Sequence, residues 1–475
     1  MRRRRRLALA TVAVLCAFTI AAGLTVTRLL PGRLALWRTP EISSARLAGA
    51  GEVLGPASGS TAAANAATSA GVATAVSGEV SSPLLGSQLG VLVTDLATGQ
   101  VLYSRNATSG FAPASTNKLA TSIAALQVLG PSARFRTTVV SGSSASQIVL
   151  VGGGDPTLAA GTPPASDYPQ PATLLGLARQ TAAALRARGR HSVTLDYDTS
   201  LYTGPGLAPG WPASYVTTGN VSVITPLEAD QGRVTPSGAP ADNEASNGPR
   251  SSDPAALAAA SFARFLTADG IHVHGAPALV TAPGGAATLA SVSSPPLSAI
   301  VAWMLEESNN VIAENLARHV AIATRQPASF SGGAAAVTSV LRGLGVTGQV
   351  SLVDGSGLSP LDRISPAVLV QLITMAASRP RLRSMLTGLP VEGFSGTLMR
   401  GGSVFGLGQR AGFGLVRAKT GNLNTVAALA GIAQAKDGQL LAFAVMADKI
   451  SASQLTAAAT TMVDLATTLA GCGCR

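Results

Sequence analysis

Residues 111–131 read FAPASTNKLATSIAALQVLGP. From Thr116 to Leu129 the apolar residues Leu119, Ile123, Leu126 and Leu129 recur at helical spacing, and Gly130 with Pro131 stops the run. The pattern predicts a helix with Ser115 at its mouth and Lys118 one turn on, on the same face. That lysine stands out, because only four of the 34 basic residues are lysine: Lys118, Lys419, Lys436 and Lys449. Arginine keeps its proton in a protein and lysine can lose one. Ser115 and Lys118 therefore supply a nucleophile and an amine within reach of each other; in a dry pocket beside other cations the amine can take the serine proton. An isolated S-x-x-K also has a plain reading, a serine helix cap followed by a surface lysine.

Two further short motifs follow. Ser308-Asn309-Asn310 interrupts helical patterns over 297–305 and 311–323, where asparagine is also an ordinary cap. Lys419-Thr420-Gly421 closes a strand-like run and uses one of the four lysines. The segments GLVRAKTG, TVAALAGIAQA and QLLAFAVMAD, with a turn at Lys436-Asp437-Gly438, read as a three-strand antiparallel meander. LGVLVTDLATGQVLYSR from Leu89 reads as a hairpin around Ala97 to Gly99, and an alanine-rich helix is expected over 453–469.

The order S-x-x-K, S-x-N, K-T-G is the signature set of serine penicillin-binding proteins and β-lactamases. GGGDP at 152–156, GLAPGW at 206–211, DGSGLS at 354–359 and GTLMR at 396–400 extend the match. Over roughly residues 88–465 the chain resembles the D-alanyl-D-alanine carboxypeptidase/endopeptidase family, the class C low-molecular-mass penicillin-binding proteins. Ser115 and Ser308 lie 193 residues apart (308 − 115), a long insertion of the kind this family carries and β-lactamases lack.

The resemblance implies a mixed α/β fold: an antiparallel sheet of DD-peptidase/β-lactamase type flanked by helices, with a large β-rich insert after the S-x-x-K helix. It implies that Ser115 forms an acyl-enzyme on D-Ala-D-Ala peptides or cross-links, with Lys118 as general base. Ser308 and Lys419 would relay the proton to the leaving amine, and Asn310 would hold substrate and Lys118. Thr420 and Lys419 would receive the terminal carboxylate, and Gly421 would let substrate lie close to the strand. The N–H groups of Ser115 and Asn422 would form the oxyanion hole. Asp155, in GGGDP, would bind the amino end of the stem-peptide side chain, unless it is simply a turn aspartate before Pro156. The arginine that usually follows DGSGLS is replaced by Pro360, which leaves Arg363 as its substitute. Expected partners are peptidoglycan stem peptides and, as covalent inhibitors, β-lactams; no metal or cofactor is needed. The rival readings are a β-lactamase and a catalytically silent wall-binding scaffold of the same fold.

Composition bounds the rest. The 475 residues are 47% hydrophobic but 4% aromatic, so small side chains carry the packing. The net charge of +11 is concentrated: residues 1–46 hold nine arginines against Glu41, or +8, and the remaining 25 basic and 22 acidic groups leave +3. No basic stripe with interleaved aromatics marks a nucleic-acid binder. Arg2 to Arg6 precede the uncharged run 7–27, long enough to cross a bilayer with the N-terminus in the cytoplasm and the rest exported. The expected layout is a basic segment 1–6, an anchor or signal segment 7–27 and a flexible spacer 28–87 with a short helix near its end. A discontinuous catalytic domain follows over 88–158 and 295–470, split by an inserted region 159–294. Cys472 and Cys474 read as a loose tail or, in an oxidising compartment, as a strained bridge. His272 and His274 share a strand face, but with only His191 and His319 besides, a three-ligand metal site has few candidates.

Overall fold

In the computed structural model, residues 67–235, 248–399, 405 and 410–474 are described. Two five-stranded sheets organise them. The first is antiparallel throughout, in the spatial order Val416–Leu423, Val426–Gln434, Leu440–Asp448, Gln88–Asp95, Val101–Arg105. The expected meander and hairpin are both present, joined where Gln88–Asp95 pairs with Leu440–Asp448. Strands 426–434 and 440–448 are buried almost end to end, because both faces of the sheet are covered. One face packs under helices Asn117–Leu129, Asn310–Ala323 and Pro366–Ser378 through Leu119, Ile123, Leu316 and Leu372; the other lies under helix Leu455–Gly471 through Met462, Val463 and Leu469.

The second sheet has the order His272–Leu279, Ser192–Asp198, Gln147–Val151, Arg136–Ser141, Thr288–Ser293. Its first three strands are parallel. Parallel neighbours require crossovers, and helices Leu174–Arg186 and Pro254–Ala268 supply them. Phe262, Leu177 and Leu195 centre a core separate from that of the first sheet.

Several expectations change here. Strands 136–141 and 147–151 belong to the second sheet, so the inserted region starts before the shift of composition near 159. It carries a five-stranded sheet, with two helices as crossovers. Helix Ser69–Ala75, capped by the Thr68 side chain, is a short helix of the kind expected near the end of the spacer, but its Val72 is buried, so this part is packed on the body. The Cys472–Cys474 tail is not loose: the pair is disulfide-bonded and buried, and the Cys474 carbonyl accepts from Thr68 N at 2.6 Å. The run 7–27 lies outside the described residues, among which no helix is long and apolar enough to cross a membrane.

Candidate active site

Ser115 sits in a single 3-10 turn, Ala114–Thr116, that leads into helix Asn117–Leu129. Ala114 is left-handed (φ 45°), a strained conformation for a residue with a Cβ. The turn is tied down when Thr116 donates from its N–H (3.1 Å) and hydroxyl (2.7 Å) to the Pro113 carbonyl. One helical turn later Lys118 is completely buried.

The lysine amine has three neighbours: Ser115 Oγ at 2.8 Å, Asn310 Oδ1 at 2.7 Å and the Ser356 carbonyl at 2.9 Å. Two of these can only accept. A neutral amine gives its two hydrogens to them and turns its lone pair to the one partner able to donate, the Ser115 hydroxyl. Burial pushes the Lys118 pKa down to about 7, against the opposing pull of Asp354 and Glu314. Geometry and charge therefore agree on a lysine ready to accept the serine proton.

The turn that offers the Ser356 carbonyl is held by two buried carboxylates. Glu314 accepts from Gly355 N and Ser356 N (2.8 Å for the latter), and Asp354 accepts from Gly357 N, Ser359 N and Trp211 Nε1. Asp362, buried beside Asp354, accepts from Val353 N; burial and that neighbouring charge push its carboxyl upward. Gly357, at φ +84°, abuts the Ser115 turn so closely that a Cβ would overlap the Ala114 carbonyl. DGSGLS thus serves as the floor beneath the nucleophile.

Ser308 occupies a left-handed turn (φ 58°) between helices Leu297–Glu306 and Asn310–Ala323. Asn309 caps the second helix, its Oδ1 accepting from Ile312 N at 3.0 Å. Asn310, freed from capping, reaches Lys118 with Oδ1 and donates from Nδ2 to the Asn220 carbonyl at 2.8 Å.

Lys419 and Thr420 lie on the outer strand of the first sheet, against which the Ser115 turn packs. Lys419 is fully buried; burial and the nearby Lys118 hold its pKa well below the lysine range, opposed by Glu307. The Thr420 hydroxyl pairs with that of Thr397 at 2.7 Å. At Gly421 a Cβ would lie 2.7 Å from the Pro113 carbonyl and 3.0 Å from Ser115 N. The glycine lets this strand close onto the nucleophile turn. Asn422 follows, exposed, on the same strand. Val391 bridges the outer edge of this strand at Arg417, with Ala418 N donating to the Pro390 carbonyl; beyond it the edge can offer its backbone to an extended peptide.

Asp155 is not hydrogen-bonded to this cluster. It is buried in a turn, its Oδ1 accepting from the N–H and hydroxyl of Thr157, its Oδ2 without a partner; burial pushes its pKa up to about 6. Arg363 spends a guanidinium N–H on the Pro360 and Asp362 carbonyls of its own turn. Three participants escaped the sequence reading in their roles: Ser356, Asn220 and Thr397. Ser356 and Thr397 lay in segments already flagged, DGSGLS and GTLMR; Asn220 acts through a backbone oxygen, which leaves no side-chain signature. His272 and His274 stand exposed on an outer strand, and among the described residues no three potential ligands cluster.

Fold and site together define a serine acyl-transfer enzyme of the penicillin-binding class. A family model, the D-Ala-D-Ala carboxypeptidase 3 (S13) family, matches residues 72–247 and 237–469. The chain is 37% identical over 402 residues to a carboxypeptidase of Mycobacterium tuberculosis, covering 82% of each chain. It is 36% identical over 401 residues to carboxypeptidase DacB of Mycolicibacterium smegmatis, covering 82% of this chain and 83% of that one. The crystal structure of penicillin binding protein 4 (dacB) from Haemophilus influenzae superposes with a TM-score of 0.66 at 23% identity, over 82% of this chain and 98% of that one. The chain belongs to the S13 family of D-Ala-D-Ala carboxypeptidases, peptidases of the cell wall that act outside the cytoplasm.

Proposed function

We propose that this carboxypeptidase works through an acyl-enzyme on Ser115 and that it cleaves D-amino-acid cross-links as well as terminal D-Ala-D-Ala. The observation that carries this reading is the Lys118 amine, buried and held between two obligate acceptors and the Ser115 hydroxyl. Ser115 Oγ attacks the carbonyl carbon while its proton passes to Lys118. The oxyanion is met by the N–H groups of Ser115 and Asn422. The C–N bond then breaks as the leaving amine takes the serine proton from Lys118 by way of Ser308, helped by Lys419, which returns Lys118 to its neutral form. Water, deprotonated by the same lysine, hydrolyses the ester and restores Ser115. Thr420 and Lys419 receive the terminal carboxylate, and Asn310 holds the substrate backbone. Asp155 is kept as the side-chain subsite on the strength of its one unpartnered oxygen. The run 7–27 anchors the exported body to the membrane.

The test is labelling with a fluorescent penicillin followed by intact mass, on the wild type and on Ser115→Ala. A stable adduct on the wild type alone is the expected outcome; hydrolysed drug without an adduct would mark a β-lactamase, and intact drug without one a silent scaffold. The acylation rate should rise with pH through about 7, because Lys118 acts in its neutral form and burial sets its pKa there.

A further inference from the structure

Which end of the Asn310 amide faces Lys118 is decided by the group at its other end. The Asn220 carbonyl can only accept, so it takes Nδ2 at 2.8 Å and leaves Oδ1 to the lysine. Turned over, Asn310 would set its oxygen against that carbonyl and offer Lys118 a donor. Asn220 itself is exposed on a loop, so its carbonyl needs an anchor. Before it, Arg250 donates to the Gly219 carbonyl at 3.2 Å. After it, the Ser222 hydroxyl donates to Glu228 Oε2 at 2.7 Å, and Glu228 Oε1 accepts from Asn315 Nδ2 at 3.0 Å. Asn315 lies further along the helix that begins with Asn310. Glu228 is therefore a bracket between the loop that offers the carbonyl and the helix that carries the amide. Asn315 has no freedom to turn: its Nδ2 also donates to the Val311 carbonyl at 3.0 Å, and its Oδ1 accepts from the Tyr202 hydroxyl at 2.8 Å. Ser222, Glu228 and Asn315 are all buried, so water does not compete for these bonds.

We infer that Glu228 is a positioning residue for acylation: by tying Ser222 to Asn315 it keeps the Asn220 carbonyl on Asn310 Nδ2, and so keeps Asn310 Oδ1 on Lys118. The inference rests on the acyl-transfer reading above and adds to it a residue that acts only through others. Its effect on the lysine has a definite sign. Oδ1 accepts most strongly from the charged amine, so losing it disfavours that form and moves the Lys118 pKa down from about 7. Asp354 and Glu314 are the carboxylates that pull on Lys118, so this shift does not need the charge of Glu228.

The test follows the rate of penicillin acylation against pH in wild type, Glu228→Leu, Glu228→Gln and Ser222→Ala. Glu228→Leu removes both acceptors: the rate should fall about tenfold, the value of one hydrogen bond to a charged group, and the midpoint of its pH limb should move down. Glu228→Gln loses the charge and keeps the bracket, because its Oε1 can accept from Asn315 while its Nε2 donates to Ser222 Oγ; the rate should stay within about twofold of wild type, with the midpoint in place. Ser222→Ala cuts the bracket at the loop and keeps the charge, and should move rate and midpoint in the same direction as Glu228→Leu. A wild-type rate in Glu228→Leu overturns the inference, and so does a slower rate with an unmoved midpoint, the mark of general damage. Equal losses in the Gln and Leu variants overturn it as well, since charge would then be what counts. Should Glu228→Leu fail to melt cooperatively, Ser222→Ala decides alone by the same two readings. Wild type that forms no adduct at any pH overturns the acyl-transfer reading itself, and this inference with it.

Discussion

The first sheet is antiparallel and closed in on both faces, whereas the second runs three strands in parallel and leaves its outer strand, His272–Leu279, largely in solvent. Both bury charge, but of different kinds: the second sheet buries Asp196 and Asp198, each accepting hydrogen bonds at both oxygens. Around the first sheet Lys118, Lys419, Glu314 and Asp354 are all buried to within 1% of complete, and the lysines are held away from their ordinary ionisation. The second sheet centres on Phe262, Leu177 and Leu195, and its exposed strand carries two histidines. Burying an ammonium group without full solvation opposes folding. The region that performs the chemistry is therefore costly to assemble, and the apolar cores around it must offset that cost.

This contrast can be broken by substitution. Lys118→Met keeps the volume and removes the amine; acylation by penicillin should drop on the order of 10³-fold, while the melting temperature does not fall, because a desolvated amine has been replaced by a thioether chain. A matching loss of stability would mean that Lys118 holds the fold together. Gly357→Ala sharpens the contrast from the backbone side. Its Cβ would push the Ala114 carbonyl and shift Ser115, and a displacement near 1 Å is enough to lower acylation about 10²-fold. Full activity in that variant would show that the turn under the nucleophile yields. Phe262→Ala, in the inserted core, should do the reverse. It should cost about 3–5 kcal/mol of stability in denaturant titration and leave the acylation rate per folded molecule unchanged. His272→Ala with His274→Ala is the smallest case, expected within about 0.5 kcal/mol of wild type and without effect on acylation; a metal-dependent loss would contradict the reading of that strand.

The candidate site residues stood out because acyl transfer of this kind calls for particular side chains at short spacing, and the structure brings Ser115, Lys118 and Asn310 within hydrogen-bond distance. A serine one turn before a lysine, a serine two before an asparagine and K-T-G on a strand each need particular residues, and the scarcity of lysine made two of them conspicuous. What escaped was mostly backbone. The Ser356 carbonyl completes the lysine's coordination, and the Asn220 carbonyl orients Asn310, but any residue carries a carbonyl. PAALAAASFARFLTA, the helix over 254–268, was not singled out because seven of its 15 residues are alanine and its apolar stripe is blurred. Asp253 capping Ala256 N ahead of Pro254 was the available start signal. The helix Ser69–Ala75 falls in the same kind of bland stretch of Ala, Gly, Ser and Thr, near whose end a short helix was expected. Its order comes from packing on distant residues, including the Cys474 carbonyl at the other end of the chain.

That last contact makes the folded body a closed ring in the topological sense. Thr68 and Cys474 are hydrogen-bonded neighbours although 406 residues (474 − 68) separate them in sequence. A circular permutant that links these ends directly and opens the chain at the exposed Asp437–Gly438 turn would retain every strand pairing of both sheets. The catalytic body can thus be inserted into another protein, or hung from a support, by a single point of attachment, with both strands of the connection leaving the same place.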